Sequence, residues 1–338
     1  MARSPVAAAR LKAVSEAKRV HRALDLQLRV TEADGQIDIF DAISELDITL
    51  LFKPLTSALG FCLPDPLRGI LVTTRRTLHI QRFTAAHELG HVILSHSPRV
   101  DTDLILTRNP YAGGGMDIQE VQAEAFAAEF LLPRWLYIHH ARKQGWGSGH
   151  LRNPDVVYQL SLRMGASYKA TCWGLSGHSL LPQSDVNSLA EATVSKLKGA
   201  AESRFKPGHS HADVWKLTEK DGGSRISGNP DDLIRFDLEE ASDAGYTWDI
   251  SDLEKAGYEI LSDESEFSRD PLVYGAPSTR VVVARQRAAR ITDVALKEVR
   301  PWGPHTGLPP LNLQLRLEGK ENTGLSRNDL RRRGLPIA

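Results

Sequence analysis

Two histidines and a glutamate stand at HExxH spacing in the N-terminal half of the chain, as His87, Glu88 and His91. On an α-helix, residues four apart lie on one face about 5 to 6 Å apart, so both imidazoles can reach one metal ion. Glu88 is turned by about 100° around the helix, which leaves its carboxylate beside the metal rather than bound to it. There it can take a proton from a water molecule that the metal activates. The pattern predicts a metal-dependent hydrolase, although chance supplies it in roughly a few per cent of such sequences.

The third metal ligand has to come from outside this motif. In the longer motif with three histidines, the glycine lies three residues after the second histidine. The third histidine lies six residues after the second histidine. Leu94 and Ser97 occupy those positions here, which excludes that arrangement. His96 is interpreted as a polar residue at the end of the helix.

A second helix offers the missing carboxylate. Residues 118–132 are apolar almost all the way round and stop at Pro133, which predicts a buried helix. Buried carboxylates need a partner or a metal. Glu120 and Glu124 share one face, so one of them can be the ligand and the other can orient a ligating histidine. Glu129 points the opposite way and is interpreted as a solvent-facing or structural residue.

A helical region with a small sheet is expected to position these residues. Gly90, between the two histidines, costs a helix about 0.5 to 1 kcal/mol relative to alanine, so we expect another backbone or a substrate to approach there. The loop at 99–116 is interpreted either as a flap near the site or as a mobile surface loop. The predicted elements are helices at 7–29, 37–46 and 84–95, the last capped by Thr84, and strands at 48–52, 69–74 and 77–80.

The segments at 82–94 and 120–133, with their HELGH and ExxxE patterns, resemble the ImmA/IrrE family of zinc endopeptidases. The resemblance covers roughly residues 10–185. It implies one Zn²⁺ ion, with Mn²⁺ as the alternative, held by His87, His91 and Glu120. Glu124 stands where the family usually has Asn or Asp, and it remains the alternative ligand. The resemblance further implies a regulatory protein as substrate, such as a helix-turn-helix repressor, cleaved in response to stress, phage or element transfer.

Residues 157–171 look like the next element of that family, a helix, a tight turn and a helix. The second helix has little of the positive charge that phosphate contacts need, so we expect it to pack on the peptidase core rather than bind DNA. Tyr168 and Tyr111 are candidate hydrogen-bond donors to the oxyanion of the tetrahedral intermediate.

The second half of the chain predicts an all-β domain. Residues 186–210 are polar and are interpreted as a linker between an N-terminal domain at 1–185 and a domain at 211–318. Seven short strand-like runs with polar turns predict a β-sandwich there. The fold class is therefore α+β, a helical zincin-like domain followed by an immunoglobulin-like sandwich. The basic tail at 319–338 is predicted to be disordered.

The predicted sandwich carries Ala-Gly-Tyr-Thr-Trp at 244–248, Gly-Ala-Pro-Ser-Thr-Arg at 275–280 and Arg-Pro-Trp at 300–302. In this order and spacing, the three loops resemble those of chagasin-type cysteine-peptidase inhibitors. Two departures weaken an inhibitory role: 241–244 lack the threonines of the family's first loop, and the glycine-rich stretch of its middle loop is replaced by Ala-Pro-Ser at 276–278. We therefore favour partner recognition or support of the fold over inhibition of a cysteine peptidase. The residues that carry the resemblance and are predicted to contact a partner are Tyr246, Trp248, Arg300, Pro301 and Trp302.

Composition limits the other functions. The 42 Lys and Arg residues balance the 42 Asp and Glu residues, so no net charge favours nucleic acid or a membrane surface. Cys62 and Cys172 lie in apolar surroundings without paired spacing and predict buried free thiols, which favours the cytoplasm. No uncharged run is long enough to span a membrane. The main alternative to an endopeptidase is a non-catalytic regulator that binds protein or DNA.

Overall fold

The computed structural model describes residues 4–63, 68–97, 100–101, 117–241, 244–266, 278–286, 288–300, 302 and 309–337. Tyr111, Pro301 and nearly all of the predicted flap at 99–116 lie outside these residues. Within the described ranges, no helix combines the length and apolar character needed to cross a membrane.

The N-terminal region is mainly helical, with a small sheet beside the metal helix, which is the helix that carries His87, Glu88 and His91. Its helices are α1 Pro5–Ala23, α2 Leu26–Ala33, α3 Ile39–Glu45, α4 Leu78–Ile93, α5 Ile118–Leu131, α6 Arg134–Gln144, α7 Pro154–Met164, α8 Tyr168–Gly177, α9 Gln183–Ala190 and α10 Val194–Ala201. Its strands are β1 Thr49–Lys53, β2 Gly60–Leu63, β3 Gly69–Thr73 and β4 Val100–Asp101.

The second half adds two further sheets and a short C-terminal unit. Its strands are β5 Val214–Leu217, β6 Arg225–Ser227, β7 Leu233–Glu240, β8 Thr247–Asp249, β9 Tyr258–Glu266, β10 Ser278–Gln286, β11 Arg290–Val299, β12 Leu311–Leu317 and β13 Gly324–Leu325. Its helices are α11 Ser251–Lys255 and α12 Arg327–Arg332.

The first helix and the metal helix differ from their predicted bounds. Asp25 has a left-handed backbone with φ of 49°, which divides the predicted helix 7–29 into α1 and α2. The predicted strand at 77–80 is wrong, because Thr77 is the N-cap of α4 and the metal helix already begins at Leu78. Its first turns contain polar residues that are nevertheless buried. Arg82, for example, donates to the carbonyl oxygens of Ile37 and Gly165.

The N-terminal sheet lies against α4, with the strand order β13-β1-β3-β2-β4. Strands β1 and β3 run parallel, whereas β2 runs antiparallel to β3. This topology places β2 beside the motif helix. On the other side of α4 lies α5, which also packs along α1. The motif helix is therefore held between the sheet and the helical layer.

The predicted linker at 186–210 contains helices α9 and α10. Leu189 and Leu197 are buried in the core of the N-terminal region. Only a few apolar residues in a polar segment make these contacts, which is why the composition suggested a linker.

Two four-stranded sheets form the second domain, in the orders β5-β7-β10-β9 and β6-β12-β11-β8. Both sheets contribute to one buried core, for example with Phe236 and Val282 from the first and Leu296 and Leu315 from the second. The α+β prediction is therefore confirmed, and each of the seven strand-like runs predicted for the second domain overlaps an observed strand. Strand β6, which is three residues long, was not predicted.

The prediction of a disordered tail is wrong for residues 324–332. Strand β13 pairs antiparallel with β1 of the N-terminal sheet, with Leu325 opposite Leu51. Helix α12 follows and is capped by Ser326. Arg332 contacts Asp41 at 2.7 Å and Glu45 at 3.0 Å, both on α3. The basic residues thus find carboxylates nearly three hundred positions away in sequence, a pairing that local composition does not reveal.

Candidate metal centre

Helix α4 buries all three residues of the HExxH motif. His87, Glu88 and His91 expose 0%, 1% and 2% of their surface. The histidines lie four residues apart on one face, as a shared metal ion requires. Burying three ionisable groups together is costly unless each one has a partner. This part of α4 is therefore a site and not a solvated surface.

Three donor atoms converge at this point of the structure. The Nε2 atoms of His87 and His91 are 3.1 Å apart. The carboxylate of Glu120 lies 3.5 Å from Nε2 of His87 and 3.7 Å from Nε2 of His91. Donor atoms bound tetrahedrally to zinc at 2.0 to 2.2 Å are about 3.3 to 3.6 Å apart. The donor set and its spacing therefore fit a zinc ion.

Glu120 lies in the first turn of α5, next to its N-cap Asp117. It groups with the two histidines as a set that can hold a metal, whereas Glu124, buried one turn further along, is not part of that group. Glu129 is also buried rather than solvent-facing. Its carboxylate lies 3.5 Å from Nζ of Lys18 on α1, which gives it a structural ion pair.

Gly90 allows α5 to approach the motif helix closely. A Cβ atom at this position would lie 3.1 Å from Cβ of Phe126 and 3.2 Å from Cα of Ala123. Such distances are tighter than ordinary van der Waals contacts. The expectation that another backbone approaches Gly90 is confirmed, and this close packing brings Glu120 within reach of the histidines.

Gly60 has the same function on the sheet side. A Cβ atom here would lie 2.6 Å from Cγ2 of Thr84, 2.8 Å from the carbonyl oxygen of Leu71 and 3.0 Å from Oε1 of Glu88. The carboxylate of Glu88 therefore lies directly against β2. A larger residue at position 60 would displace either the strand or this carboxylate.

His96 and Gln122 are two site residues that the sequence did not predict. Nδ1 of His96 is 2.9 Å from Nδ1 of His91, and its Nε2 is 3.0 Å from Oε1 of Gln122. His96 is thus more than a polar helix end. Burial lowers the pKa of His96, which favours its neutral ring. The sequence signal was the position of His96 directly after the helix, but its contact with Gln122 depends on how α4 and α5 pack.

The structure does not support Tyr168 as an oxyanion donor. Tyr168 is buried, and its hydroxyl donates to the carbonyl oxygen of Leu189 on α9 at 2.8 Å. That hydrogen bond uses the proton that an oxyanion would need. Helices α7 and α8 are joined by a left-handed Gly165, as the helix-turn-helix resemblance predicts. Because Cys172 and Leu175 of α8 are fully buried, this helix packs on the core.

A cavity of about 430 Å³ opens beside His91 and His96. Cys62 and Leu63 of β2 line it, together with Arg19 and Arg68. It therefore joins the metal-site helix to the neighbouring strand. Of the candidate site, its lining includes His91 but not His87, Glu88 or Glu120.

A second group of possible ligands consists of Asp34, His139 and His140. Its carboxylate is already occupied, since Asp34 accepts hydrogen bonds from His139 and Ser224 and forms an ion pair with Lys143. A lysine ammonium group at this carboxylate opposes the binding of a metal cation. We interpret this group as part of the contact between the N-terminal region and the sandwich.

The two tryptophans of the sandwich loops differ in exposure. Trp248 is buried and its indole N–H donates to the carbonyl oxygen of Glu239, so its predicted contact with a partner is not supported. Trp302 is 79% exposed, and its ring lies where a Cβ on Gly245 would come within 2.6 Å. The Arg300 guanidinium lies 4.3 Å from the ring centroid of Tyr246.

Part of the chain matches a known protein family. Residues 43–176 match the family model Peptidase_M78, described as the IrrE N-terminal-like domain. The predicted resemblance to ImmA/IrrE peptidases is confirmed over this stretch, which includes the metal helix, α5 and most of α8. No curated protein sequence matches the chain.

Several solved structures match about a third of the chain. The cysteine protease inhibitor EhICP2 from Entamoeba histolytica is 26% identical, with a TM-score of 0.27, and the match covers 32% of this chain and 99% of that one. The solution structure of amebosin is 17% identical, with a TM-score of 0.25, covering 30% and 95%. PbICP-C, solved in complex with falcipain-2, is 16% identical, with a TM-score of 0.19, covering 33% and 95%.

Proposed function

We propose that this protein is a zinc-dependent endopeptidase, with His87, His91 and Glu120 as the residues that would hold the ion. One observation carries the proposal, namely the convergence of two imidazole nitrogens and a carboxylate at mutual distances of 3.1 to 3.7 Å. Two histidines and a glutamate form the ligand set of many catalytic zinc sites. The family match at residues 43–176 supports a metallopeptidase-like activity.

A bound zinc ion would supply Lewis acidity, lowering the pKa of water and polarising the scissile carbonyl. Glu88 is the general base of the proposal. It lies next to the ligating residues in the chain, buried between α4 and β2. Its carboxylate would accept a proton from the attacking water and then deliver it to the leaving amine nitrogen.

The proposed substrate is a regulatory protein, a DNA-binding repressor of the helix-turn-helix class cleaved under stress. This part rests on the resemblance of the motifs to the ImmA/IrrE family. The match of residues 43–176 to a peptidase family model supports a peptide as the class of substrate.

The test is cleavage of the regulator encoded beside this protein, with wild type and Glu88→Gln compared. Wild type should bind about one equivalent of zinc and cleave, while Glu88→Gln should keep the metal and lose cleavage. Glu120→Gln should lose the metal, whereas the matched Glu124→Gln should retain it. Cleavage by Glu88→Gln would exclude the general-base role. An inactive wild type that binds DNA tightly would favour the non-catalytic regulator.

A second function is favoured by the exposed Trp302. Trp302 is 79% exposed, and tryptophan is enriched among the residues that contribute most to binding at protein interfaces. We propose a papain-like cysteine peptidase as the class of partner. Full-length protein should then inhibit papain, and Trp302→Ala should relieve that inhibition. The absence of inhibition by wild type would exclude this second function.

A further inference from the structure

Two hydrogen bonds lie behind His91, on the side of the ring away from the candidate metal centre. Nδ1 of His91 is 2.9 Å from Nδ1 of His96, and Nε2 of His96 is 3.0 Å from Oε1 of Gln122. The opposite nitrogen of His91, Nε2, faces His87 and Glu120. A single line of contacts therefore joins the amide of Gln122 to the donor atoms of the centre.

The fold fixes this geometry. After α4 ends, Ser95 adopts a left-handed backbone with φ of 55°, which turns the chain back. The backbone N–H of His96 then donates to the carbonyl oxygen of His91 at 3.0 Å, and the two rings meet edge to face with centroids 4.9 Å apart. Gln122 is buried on α5, with its Nε2 directed towards the carbonyl oxygen of Ala9 at 3.5 Å.

The chemistry of these groups sets the direction of each hydrogen bond. The amide oxygen of Gln122 can only accept, so Nε2 of His96 must carry the proton. In a neutral imidazole the other nitrogen is then an acceptor. Nδ1 of His96 must consequently accept from an N–H at Nδ1 of His91. This leaves the lone pair of His91 on Nε2, the atom that faces the other two candidate ligands.

We propose that His96 and Gln122 are positioning residues that hold His91 in the tautomer required for metal binding. The inference rests on the proposed function, because it assigns these residues a role towards the same metal. Without the relay, His91 can carry its proton on Nε2 and cannot bind the ion through that atom. Partners of this kind change metal affinity because they fix the orientation and the basicity of a ligating histidine.

The experiment compares variants that differ only in the end of the relay. Gln122→Met keeps the length of the side chain but removes the acceptor, whereas Gln122→Glu keeps an acceptor oxygen. Gln27→Met makes the same chemical change on the exposed surface of α2 and is the matched control. Zinc affinity is measured by chelator competition. We expect Gln122→Met to lose about 10- to 100-fold in affinity, with Gln122→Glu and Gln27→Met close to wild type.

A second measurement tests the tautomer itself. Nitrogen-15 NMR of the full-length protein before zinc is added should show His91 protonated at Nδ1 in wild type, and a shift towards Nε2 protonation in Gln122→Met. Wild-type His91 protonated at Nε2, or unchanged zinc affinity in Gln122→Met, would overturn the inference. A wild type with the expected tautomer that binds no zinc would refute the proposed function instead, so the two failures are distinguishable.

Discussion

Arg163 on α7 donates hydrogen bonds to both carboxylate oxygens of Asp221, which belongs to the sandwich domain. One guanidinium nitrogen, Nη2, lies 2.8 Å from Oδ1 and 2.9 Å from Oδ2. The two side chains expose only 4% and 1% of their surface. Gln144 of α6 donates to the same carboxylate at 2.8 Å. The helical region and the sandwich are therefore joined by a buried ion pair whose hydrogen bonds are satisfied from both domains.

Replacing Arg163 by methionine should destabilise the whole protein. The change leaves Asp221 buried without its charged partner, which typically costs about 3 to 5 kcal/mol. Urea denaturation measures this loss. The control is Arg152→Met, which breaks an exposed pair with Asp185 and should cost at most about 1 kcal/mol. Equal losses for the two variants would show that the Arg163 pair contributes no more than a surface contact.

Gly60→Ala should disturb both stability and cleavage. The added Cβ meets Thr84, the backbone of Leu71 and the carboxylate of Glu88 at 3.0 Å or less. We expect a loss of about 1 to 3 kcal/mol in the free energy of unfolding, together with a lower rate of substrate cleavage.

Gly149→Ala is the matched control for Gly60→Ala, because no heavy atom lies within 4 Å of its added Cβ. Its stability and cleavage rate should remain close to those of wild type. A Gly60→Ala protein that cleaves at the wild-type rate would mean that Glu88 tolerates displacement, in conflict with its proposed role.

The core of the candidate site could be predicted because its residues follow local periodic rules. The HExxH spacing places His87 and His91 on one face of a helix, and buried glutamates on a second apolar helix need partners. The roles of His96 and Gln122 could not be predicted in this way. They depend on a left-handed turn at Ser95 and on the packing of α5 against α4, neither of which is encoded in a short motif.

The fold shows the same division between local and long-range information. The strands of the second domain were predicted from short strand-like runs separated by polar turns. The start of α4 was missed because Gln81 and Arg82 look like surface residues, although both are buried with distant partners. Sequence patterns reveal burial by apolar side chains, whereas burial of polar side chains depends on partners far along the chain.

Acid should destabilise the protein through two buried histidines. Burial lowers the pKa of His140 to about 3, and burial lowers that of His21 to about 4. Above about pH 6.5 both histidines are neutral in the folded and unfolded states. Below about pH 6.5 these histidines take up protons in the unfolded chain but remain neutral in the folded protein. The free energy of unfolding therefore falls as the pH decreases towards about 4.

Each of these histidines should lower the free energy of unfolding by up to about 1.4 kcal/mol for each unit by which the pH falls. Urea denaturation of wild type and His140→Gln at pH 6.0, 5.0 and 4.5 measures it. The variant should show a shallower dependence on pH, whatever its stability at neutral pH. Parallel slopes for the two proteins would mean that His140 takes up a proton in the folded state.

Truncation after Glu318 should destabilise the metal helix itself. The tail supplies hydrogen-bond partners for both the oxygen and the nitrogen of the buried Gln81 side chain on α4. The backbone N–H of Glu321 donates to Oε1 of Gln81 at 2.7 Å, and Nε2 of Gln81 donates to the carbonyl oxygen of Glu321 at 3.1 Å. Removing them leaves a buried amide unsatisfied, which alone costs about 1 to 3 kcal/mol, and also removes β13 from the sheet. The melting temperature of the truncated protein should therefore fall by several degrees or more.

Removal of residues 335–338 alone, where Leu335 and Ile337 are exposed, should leave the melting temperature close to that of the full chain. Equal melting temperatures for the two truncations would show that the tail does not stabilise α4.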